Sequence, residues 1–145
     1  MVDLRPATQA DFPAIRLMIR SERINPMDLD WRRFIVATDQ GGEVIGCGQV
    51  KTHRDGSREL ASLVVLPAWR GQGVARTIIE RLIADNPGKL YLTCRSGLGP
   101  LYEKFSFRAI PAEEMPPYFR RISRLARVFL ALARADEKLL VMKRN

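Results

Sequence analysis

The chain has 145 residues, of which 46% are hydrophobic and 28% charged, and this fits one globular domain over residues 1–145. Its longest uncharged apolar-rich stretch, residues 60–69, is far shorter than the roughly 20 residues that cross a bilayer. Cys47, Cys94 and a single histidine cannot supply a usual zinc spacing or a disulfide framework, so we expect no metal and two buried, reduced thiols. The 24 Lys and Arg exceed the 16 Asp and Glu by 8, which favours an anionic partner.

The two ends of the chain show no targeting pattern. Residues 1–6 lack the basic-then-apolar order of a secretory signal, and residues 143–145 carry no lipidation motif. We therefore expect a cytoplasmic protein without a membrane partner.

The hydrophobic pattern predicts a mixed α/β order without repeats. The first helix is expected to begin at the Thr8-x-x-Asp11 motif, and the glycine and proline clusters mark the turns. In chain order the predicted elements are a strand at 3–6, a helix to residue 23, a helical turn at 27–32, an antiparallel meander at 34–37, 44–50 and 58–66, a helix at 74–85, a strand at 90–94, a short helix at 98–105, and strands at 107–110 and 139–142.

Residues 116–135 form an insertion before the last strand, and their pattern predicts an amphipathic helix with a basic face. The apolar residues Ile122, Leu125, Ala126, Phe129, Leu130 and Ala133 gather on one side. The opposite side carries Arg120, Arg124, Arg127 and Arg134. The segment has five arginines and no acid, so two interpretations stay open: a solvated surface helix, or a helix that holds an anionic substrate or polyanion.

The segment Leu63–Arg76 carries the strongest chemical pattern in the chain. A strand ends at Pro67, a glycine-rich turn follows, and a helix begins, so unpaired backbone N–H groups and the positive end of the helix point to one place. Gly71 and Gly73 leave the backbone accessible to a phosphate. No Gly-Lys-Ser/Thr follows, which argues against an ATP or GTP phosphate loop, and the Gly-x-Gly-x-x-Gly pattern of dinucleotide-binding loops is also absent.

Two motifs in this order resemble those of the GNAT family of N-acetyltransferases. Val65-x-Pro67 followed by Arg70-x-x-Gly73-x-Ala75 is similar to the family's loop for the coenzyme A pyrophosphate. Further along, the segment 101–107, Leu-Tyr-Glu-Lys-Phe-Ser-Phe, resembles the family's Tyr-Glu-Lys-x-Gly-Phe segment. Together with the order of strands and helices, the resemblance covers residues 3–144.

The resemblance implies a mostly antiparallel sheet that is splayed between its fourth and fifth strands, with acetyl-CoA in the gap and helices on the flanks. The pantetheine arm would pair with the backbone of the fourth strand, and the pyrophosphate would lie on the glycine-rich turn. The implied cofactor-binding residues are Leu63, Val64, Val65, Arg70, Gly71, Gln72, Gly73, Val74, Ala75 and Arg76.

A carboxylate near the thioester would help an amine of pKa about 10 to lose its proton. Glu59 is the first candidate for this base, because it begins the fourth strand, where similar acetyltransferases place an acid. The alternative for Glu59 is an ion pair with Arg58 or a neighbouring arginine. His53, on the other side of the same hairpin, is a second candidate base or a structural residue.

Tyr102 is the candidate general acid, as a phenol of slightly lowered pKa that protonates the leaving thiolate, and the alternative is a tyrosine packed in the core. Cys94 lies among apolar neighbours and is predicted to be an inert buried thiol, although a covalent acyl intermediate on it stays open.

The chain departs from the family at Ser106, where a glycine is usual, and it lacks the asparagine often found before the tyrosine. Thr93 stands where members that acetylate protein N-termini often carry a glutamate, which disfavours that substrate class. Short segments around Glu59, Tyr91 and Glu114 instead look like members that acetylate amino acids, bacterial N-acetylglutamate synthase domains among them. An amino-acid carboxylate would suit a guanidinium clamp. The candidates are Arg95, Arg120 and Arg121.

The sequence thus predicts an acetyl-CoA-dependent N-acetyltransferase that transfers the acetyl group to a primary amine of a small molecule, an amino acid being one option, by direct attack. The protein is expected to be a monomer or homodimer, and nucleic acid is an unlikely partner because few aromatic residues interleave the basic segment. Two alternatives remain: acetylation of a protein lysine, and a noncatalytic module that binds CoA or a polyanion.

Overall fold

The structure is a computed structural model that describes residues 2–133 and 137–145. Its elements match the predicted order. The strands are β1 (Asp3–Pro6), β2 (Phe34–Thr38), β3 (Val44–Thr52), β4 (Arg58–Val65), β5 (Leu90–Arg95), β6 (Arg108–Ala109) and β7 (Leu139–Arg144). The helices are α1 (Phe12–Ser21), α2 (Val74–Asp85), α3 (Gly99–Glu103) and α4 (Pro117–Ala133). Arg134, which we assigned to the basic face of the insertion, lies outside the described residues, as do residues 1, 135 and 136.

The seven strands follow the order β1-β2-β3-β4-β5-β7-β6. β1 pairs with β2, β2 with β3, β5 with β7 and β6 with β7, all antiparallel. The parallel register of β4 with β5 consists of one pair, Glu59 opposite Tyr91. The predicted fold class, a mixed and mostly antiparallel sheet that opens between its fourth and fifth strands, is confirmed.

The chain forms two compact units, of which the first comprises Met1–Lys51 and Leu60–Pro87. In this unit a capping box between Thr8 and Asp11 begins a 3-10 turn that leads into α1. The buried side of α1, with Ile15, Met18 and Ile19, packs with strand residues in one apolar cluster. Val74, Ile78, Ile79 and Leu82 form the buried side of α2. These helical residues recur every three or four positions, which is why the period of the sequence predicted them.

The second unit comprises Thr52–Glu59 and Gly88–Asn145. Its apolar cluster is built from strand, helix and loop residues that are far apart in the chain: Tyr91, Ile110, Met115, Phe119 and Val141. Cys94 is buried here, and Cys47 is buried in the first unit, so the prediction of two buried, free thiols is confirmed.

Two elements differ from the prediction by more than a few residues at their ends. The helical turn expected at 27–32 lies instead at Trp31–Arg33, because the side chain of Asp30 accepts a hydrogen bond from the backbone of Arg32 (3.0 Å) and so caps the turn there. The helix expected at 98–105 is divided into a 3-10 turn, Ser96–Leu98, and α3.

None of the described helices has the length and apolar character that a membrane span requires.

Candidate active site

The glycine-rich turn before α2 presents a run of weakly engaged amides. In the described part of the chain, the backbone N–H groups of residues 71–76 make no short, well-aligned hydrogen bond to another backbone group, and no side chain caps α2. Gly71 (φ +78°) and Gly73 (φ +83°) hold left-handed conformations, and a Cβ at either would meet no atom within 4 Å. The turn therefore has the open, amide-lined form that a diphosphate requires, and the predicted cofactor loop fits that group.

The two arginines of the predicted cofactor loop have different surroundings. Arg70 donates from Nε to the carbonyl of Val65 (3.1 Å), and its Nη2 forms an ion pair with Glu22. Arg70 therefore fastens the turn to the end of β4. Arg76 is exposed and has no ion pair with any residue that the structure describes, so its guanidinium is available to an anion.

A left-handed residue interrupts β4 just before the segment predicted to meet the pantetheine arm. Ser62 has φ +58° and is buried, although serine has a Cβ that disfavours this conformation. Gln49, which is fully buried on β3, donates from Nε2 to Ser62 Oγ (2.8 Å), and the thiol of Cys47 donates to the Ser62 carbonyl (3.6 Å). Sequence analysis did not find Ser62 or Gln49, because a serine within a strand-like run gives no indication of a positive φ.

Glu59 lies at the start of β4 and is 7% exposed. Its Oε1 lies 2.7 Å from Nε2 of His53, and since an ionised carboxylate only accepts hydrogen bonds, Nε2 carries the hydrogen. No described residue donates to its other oxygen, Oε2. Arg58, which we considered as the partner of Glu59, instead donates from Nη2 to the carbonyl of Lys89 (3.1 Å). The structure thus joins the two candidate bases in one pair.

Aromatic rings from α4 hold His53 in place. The ring of Tyr118 stacks on the imidazole at 3.5 Å between centroids, and Phe119 meets it edge-on at 5.6 Å. Asp55, in the turn after His53, accepts a hydrogen bond from the backbone N–H of Tyr118 (2.9 Å) through its Oδ2. Its Oδ1 accepts from the backbone and hydroxyl of Ser57 (2.8 and 2.5 Å). These contacts fix the β3–β4 turn to the first turn of α4.

A cavity of about 420 Å³ adjoins this cluster. The side chains that line it are His53, Arg54, Asp55, Pro117, Tyr118 and Arg121. Both oxygens of Asp55 are already hydrogen bonded, whereas Arg54 and Arg121 form no ion pair with any described residue. The cavity therefore carries two guanidinium groups against the single carboxylate of Asp55, beside the imidazole that contacts Glu59, and this excess of positive charge suits an anionic group.

The other two arginines predicted to bind substrate do not line this cavity. Arg120 donates to the carbonyls of Ala112 (3.3 Å) and Met115 (3.0 Å), so it braces the segment before α4. Arg95 ends β5 and lies 3.9 Å from Glu137. Of the three predicted residues, the structure places Arg121 in the cavity and adds Arg54, which sequence analysis missed because no pattern links a turn residue to a helix more than sixty positions away.

Tyr102 lies on α3 and is 8% exposed, with its ring edge-on to Phe107 at 6.2 Å. Burial raises the pKa of Tyr102 to about 12, and the charge of the Cys94 thiolate adds to the rise. The expected lowering of this pKa was therefore wrong, because burial of the phenol disfavours its charged form. Burial also raises the pKa of Cys94, whose thiol donates to the sulfur of Met142 (3.7 Å), as expected of an unreactive thiol.

Within the described residues, no group of three or more His, Cys, Asp or Glu side chains could hold a metal ion. The strand order and the amide-lined turn together are those of an acyltransferase-type fold. The model of the acetyltransferase (GNAT) domain matches residues 30–109, more than half of the chain. The chain belongs to this family, as its motifs indicated.

Solved structures of low sequence identity share the fold. N-acetylglutamate synthase from Neisseria gonorrhoeae, complexed with coenzyme A and N-acetyl-glutamate, is 19% identical with a TM-score of 0.73 over 99% of this chain and 35% of that one. Rv2747 from Mycobacterium tuberculosis, in complex with CoA, is 19% identical (TM-score 0.74) over 98% of both chains. The ribosomal-protein-S18-alanine N-acetyltransferase from Escherichia coli is 18% identical (TM-score 0.68) over 99% of this chain and 93% of that one.

The chain spans about a third of the length of the N. gonorrhoeae synthase. A search of curated protein sequences finds no match. At these identities the structural likeness establishes the fold and leaves the acceptor to the chemistry of the chain's own residues.

Proposed function

We propose that this protein is an acetyl-CoA-dependent N-acetyltransferase that transfers the acetyl group by direct attack to a primary amine of a small molecule. One observation carries the proposal: a buried carboxylate, Glu59, accepts a hydrogen bond from His53 through one oxygen, has no donor on the other among the described residues, and its partner His53 lines a cavity. That arrangement is what removal of a proton from an amine requires. The whole chain acts as a single domain in this proposal.

The residues available to hold the cofactor are those of β4 and the glycine-rich turn. The amides of residues 71–76 and the guanidinium of Arg76 suit the diphosphate, and the backbone of Leu63–Val65 suits the pantetheine arm. Bound there, acetyl-CoA supplies an activated acyl group as a thioester. Arg70 holds the end of β4 to the turn, so that the two parts of the cofactor site keep a fixed separation.

Glu59 accepts the proton of the acceptor amine in this mechanism. An amine of pKa about 10 is protonated near neutral pH and must lose a proton before it can attack. Glu59 Oε2 takes this proton directly or through a water molecule, while the hydrogen bond from His53 to Oε1 fixes the orientation of the carboxylate. His53 is thus a positioning residue, held by the rings of Tyr118 and Phe119.

Tyr102 donates a hydrogen bond to the leaving thiolate in our proposal. A phenol of pKa about 12 is a weaker acid than a thiol of pKa about 8.5, and complete transfer across this gap costs about 5 kcal/mol. The phenol therefore stabilises the developing negative charge while it keeps most of its own proton. This role replaces that of a strong general acid.

The acceptor we propose carries a carboxylate, as an amino acid does. Arg121 and Arg54 line the cavity without a carboxylate partner among the described residues, and two guanidinium groups can bind a carboxylate through charge-assisted hydrogen bonds. Arg120 and Arg95 are bonded elsewhere, so they contribute less in this proposal.

The test is an assay that measures free thiol released from acetyl-CoA in the presence of matched pairs of acceptors. Each pair consists of an amino acid and the corresponding amine without the carboxylate. We expect thiol release and an N-acetyl product with the amino acid of at least one pair, and a KM at least about tenfold higher for its partner. Arg121→Gln should remove this difference, whereas Arg124→Gln, on an outer part of α4, should preserve it. The proposal would be contradicted if none of the amines in a broad panel caused thiol release.

The same assay separates the alternatives. A lysine peptide that is acetylated in preference to every small amine would favour a protein acceptor. Binding of CoA without turnover of any amine or peptide would favour a noncatalytic module. The cytoplasmic location and the choice between monomer and homodimer stay predictions.

A further inference from the structure

The insertion helix α4 leaves a large part of its apolar residues in water. Phe119 is fully buried, and Ile122, Ala126 and Leu130 are half-buried on the same side of the helix. A second set of apolar side chains is exposed, and we call it the apolar stripe: Leu125 (62%), Val128 (57%), Phe129 (69%) and Leu132 (81%). Four of the seven exposed large hydrophobic residues in the described chain lie in this stripe.

The stripe is contiguous. At about 100° per residue, its four members lie within an arc of about 100° that adjoins the packed side of α4. Leu125 and Phe129 lie on the apolar side that the sequence predicted, but they are exposed, because α4 is apolar over a wider arc than its neighbours cover. A helix of 17 residues is about 25 Å long, so the stripe is a surface feature of considerable length.

A row of arginines borders the stripe. Arg120, Arg124 and Arg127 lie next to it on the wheel, Arg121 lies near its N-terminal end, and α4 contains no acid and no lysine. None of the four forms an ion pair with a residue in the described ranges. The surface thus combines exposed apolar side chains with uncompensated positive charge.

These properties distinguish between possible occupants. A second copy of α4 would bring four further arginines against these four without an acid on either helix, which disfavours self-association. A nucleic acid would use the arginines and leave the stripe in water. An anionic bilayer uses both, because phosphate headgroups pair with guanidinium groups while apolar side chains enter the boundary with the acyl chains.

We propose that α4 binds the surface of an anionic lipid bilayer, with the apolar stripe immersed in the interface and Arg124 and Arg127 at the level of the headgroups. This proposal does not depend on the acetyltransferase activity. It differs from the expectation, drawn from sequence, that the protein has no membrane partner.

The test is sedimentation of the full chain with vesicles of phosphatidylcholine that contain either no anionic lipid or about 30% phosphatidylglycerol. We expect binding to the anionic vesicles at about 0.05 M salt and its loss at about 0.5 M, because salt screens the arginines. Arg124→Gln with Arg127→Gln should weaken binding about tenfold to thirtyfold, at about one kcal/mol for each charge.

Phe129→Ser with Leu132→Ser should weaken vesicle binding at least about tenfold, because both side chains leave water on immersion. Leu17→Ser is the matched control, since Leu17 is a large apolar residue of α1 that is 67% exposed and lies outside the stripe. These positions are exposed, so circular dichroism should show a native fold for every variant.

Four outcomes would overturn the proposal. Two of them concern vesicles: equal binding to both kinds, or binding to neither. The third is a dimer in the absence of lipid that dissociates when Phe129→Ser and Leu132→Ser are combined. The fourth is binding to single-stranded RNA that is tighter than binding to vesicles and that the same double variant does not change.

Discussion

Two buried carboxylates, one in each unit, make opposite use of their oxygens. Asp11 in the first unit accepts two hydrogen bonds from the guanidinium of Arg5 (2.7 and 3.0 Å) and two more from the backbone (2.7 Å) and hydroxyl (3.2 Å) of Thr8. Glu59 in the second unit accepts one, from His53. A carboxylate has about four acceptor positions, so Asp11 is saturated and Glu59 is not.

The difference separates a structural acid from a chemical one. Hydrogen bonds from Arg5 stabilise the ionised form of Asp11 most, and together with those from Thr8 they lower its pKa to about 2. Such a carboxylate cannot accept a proton near neutral pH. Glu59 has an oxygen without a donor and a ring beside it that lines a cavity, so its environment leaves room for proton transfer. Burial alone does not distinguish the two residues, since Asp11 is 8% and Glu59 7% exposed.

The largest effect is expected for Glu59→Gln. The amide oxygen can still accept the hydrogen bond from His53, so the fold should persist, but the side chain can no longer take a proton. The value of kcat/KM should fall by about 10²–10³-fold in a thiol-release assay. Calorimetric binding of CoA is the internal control and should be unchanged. Activity within about threefold of the parent would remove Glu59 from the mechanism.

Tyr102→Phe should lower kcat about tenfold, with little change in KM, because it removes one hydrogen bond to the leaving group. The pH profile sharpens the contrast with Glu59. Burial raises the pKa of Tyr102 to about 12, so the phenol keeps its proton throughout the usual assay range, and the parent should lose no activity between pH 8 and 10 through this group. A decline there that Tyr102→Phe abolishes would show that the tyrosine ionises within that range.

Gly73→Ala should weaken CoA binding about fivefold to tenfold, as measured by calorimetry. Alanine resists the left-handed conformation by about 1–2 kcal/mol, so the turn would relax away from the form that presents its amides. Gly42→Ala is a matched control, because Gly42 has the same φ of +83° and equally open surroundings. Both variants should lose similar stability, and an equal loss of CoA affinity in both would mean that the turn has no special role.

Asp11→Asn should have the smallest effect on activity, within about twofold, and lower the free energy of unfolding by about 1–2 kcal/mol at neutral pH. The folded-state pKa of Asp11 lies below its ordinary value of 3.8, so its stabilisation is present above about pH 4 and is lost as the pH falls towards 2. Urea unfolding at several pH values should show the difference between the two proteins shrink over that range. A constant difference would assign the loss to packing rather than charge.

Local patterns in the sequence were sufficient for most elements and for the glycine-rich turn before α2. Thr8 and Asp11 cap each other across three residues, and the glycines that shape the turn are two residues apart. Contacts of this range depend on the order of a few adjacent residues, so they can be inferred from the order alone. Glu59 and Tyr102 were inferred from motif position, and their roles stay predictions.

The cavity could not be inferred in the same way. His53, Arg54 and Arg121 come together because β3 and β4 form a hairpin whose turn meets the first turn of α4, and Asp55 holds that contact through the backbone of Tyr118. Which of the two candidate arginines on α4, Arg120 or Arg121, faces the cavity depends on the rotation of α4 about its axis. That rotation is set by the burial of Phe119, a long-range contact.

The sequence by itself determined the fold class, the family and the amide-lined turn, because each rests on short-range order. Tertiary structure decided the partner of Glu59, the raised pKa of Tyr102 and the exposure of the apolar stripe on α4. Each of these depends on which surfaces meet after the chain has folded, since hydrogen bonding, desolvation and burial are properties of neighbours in space.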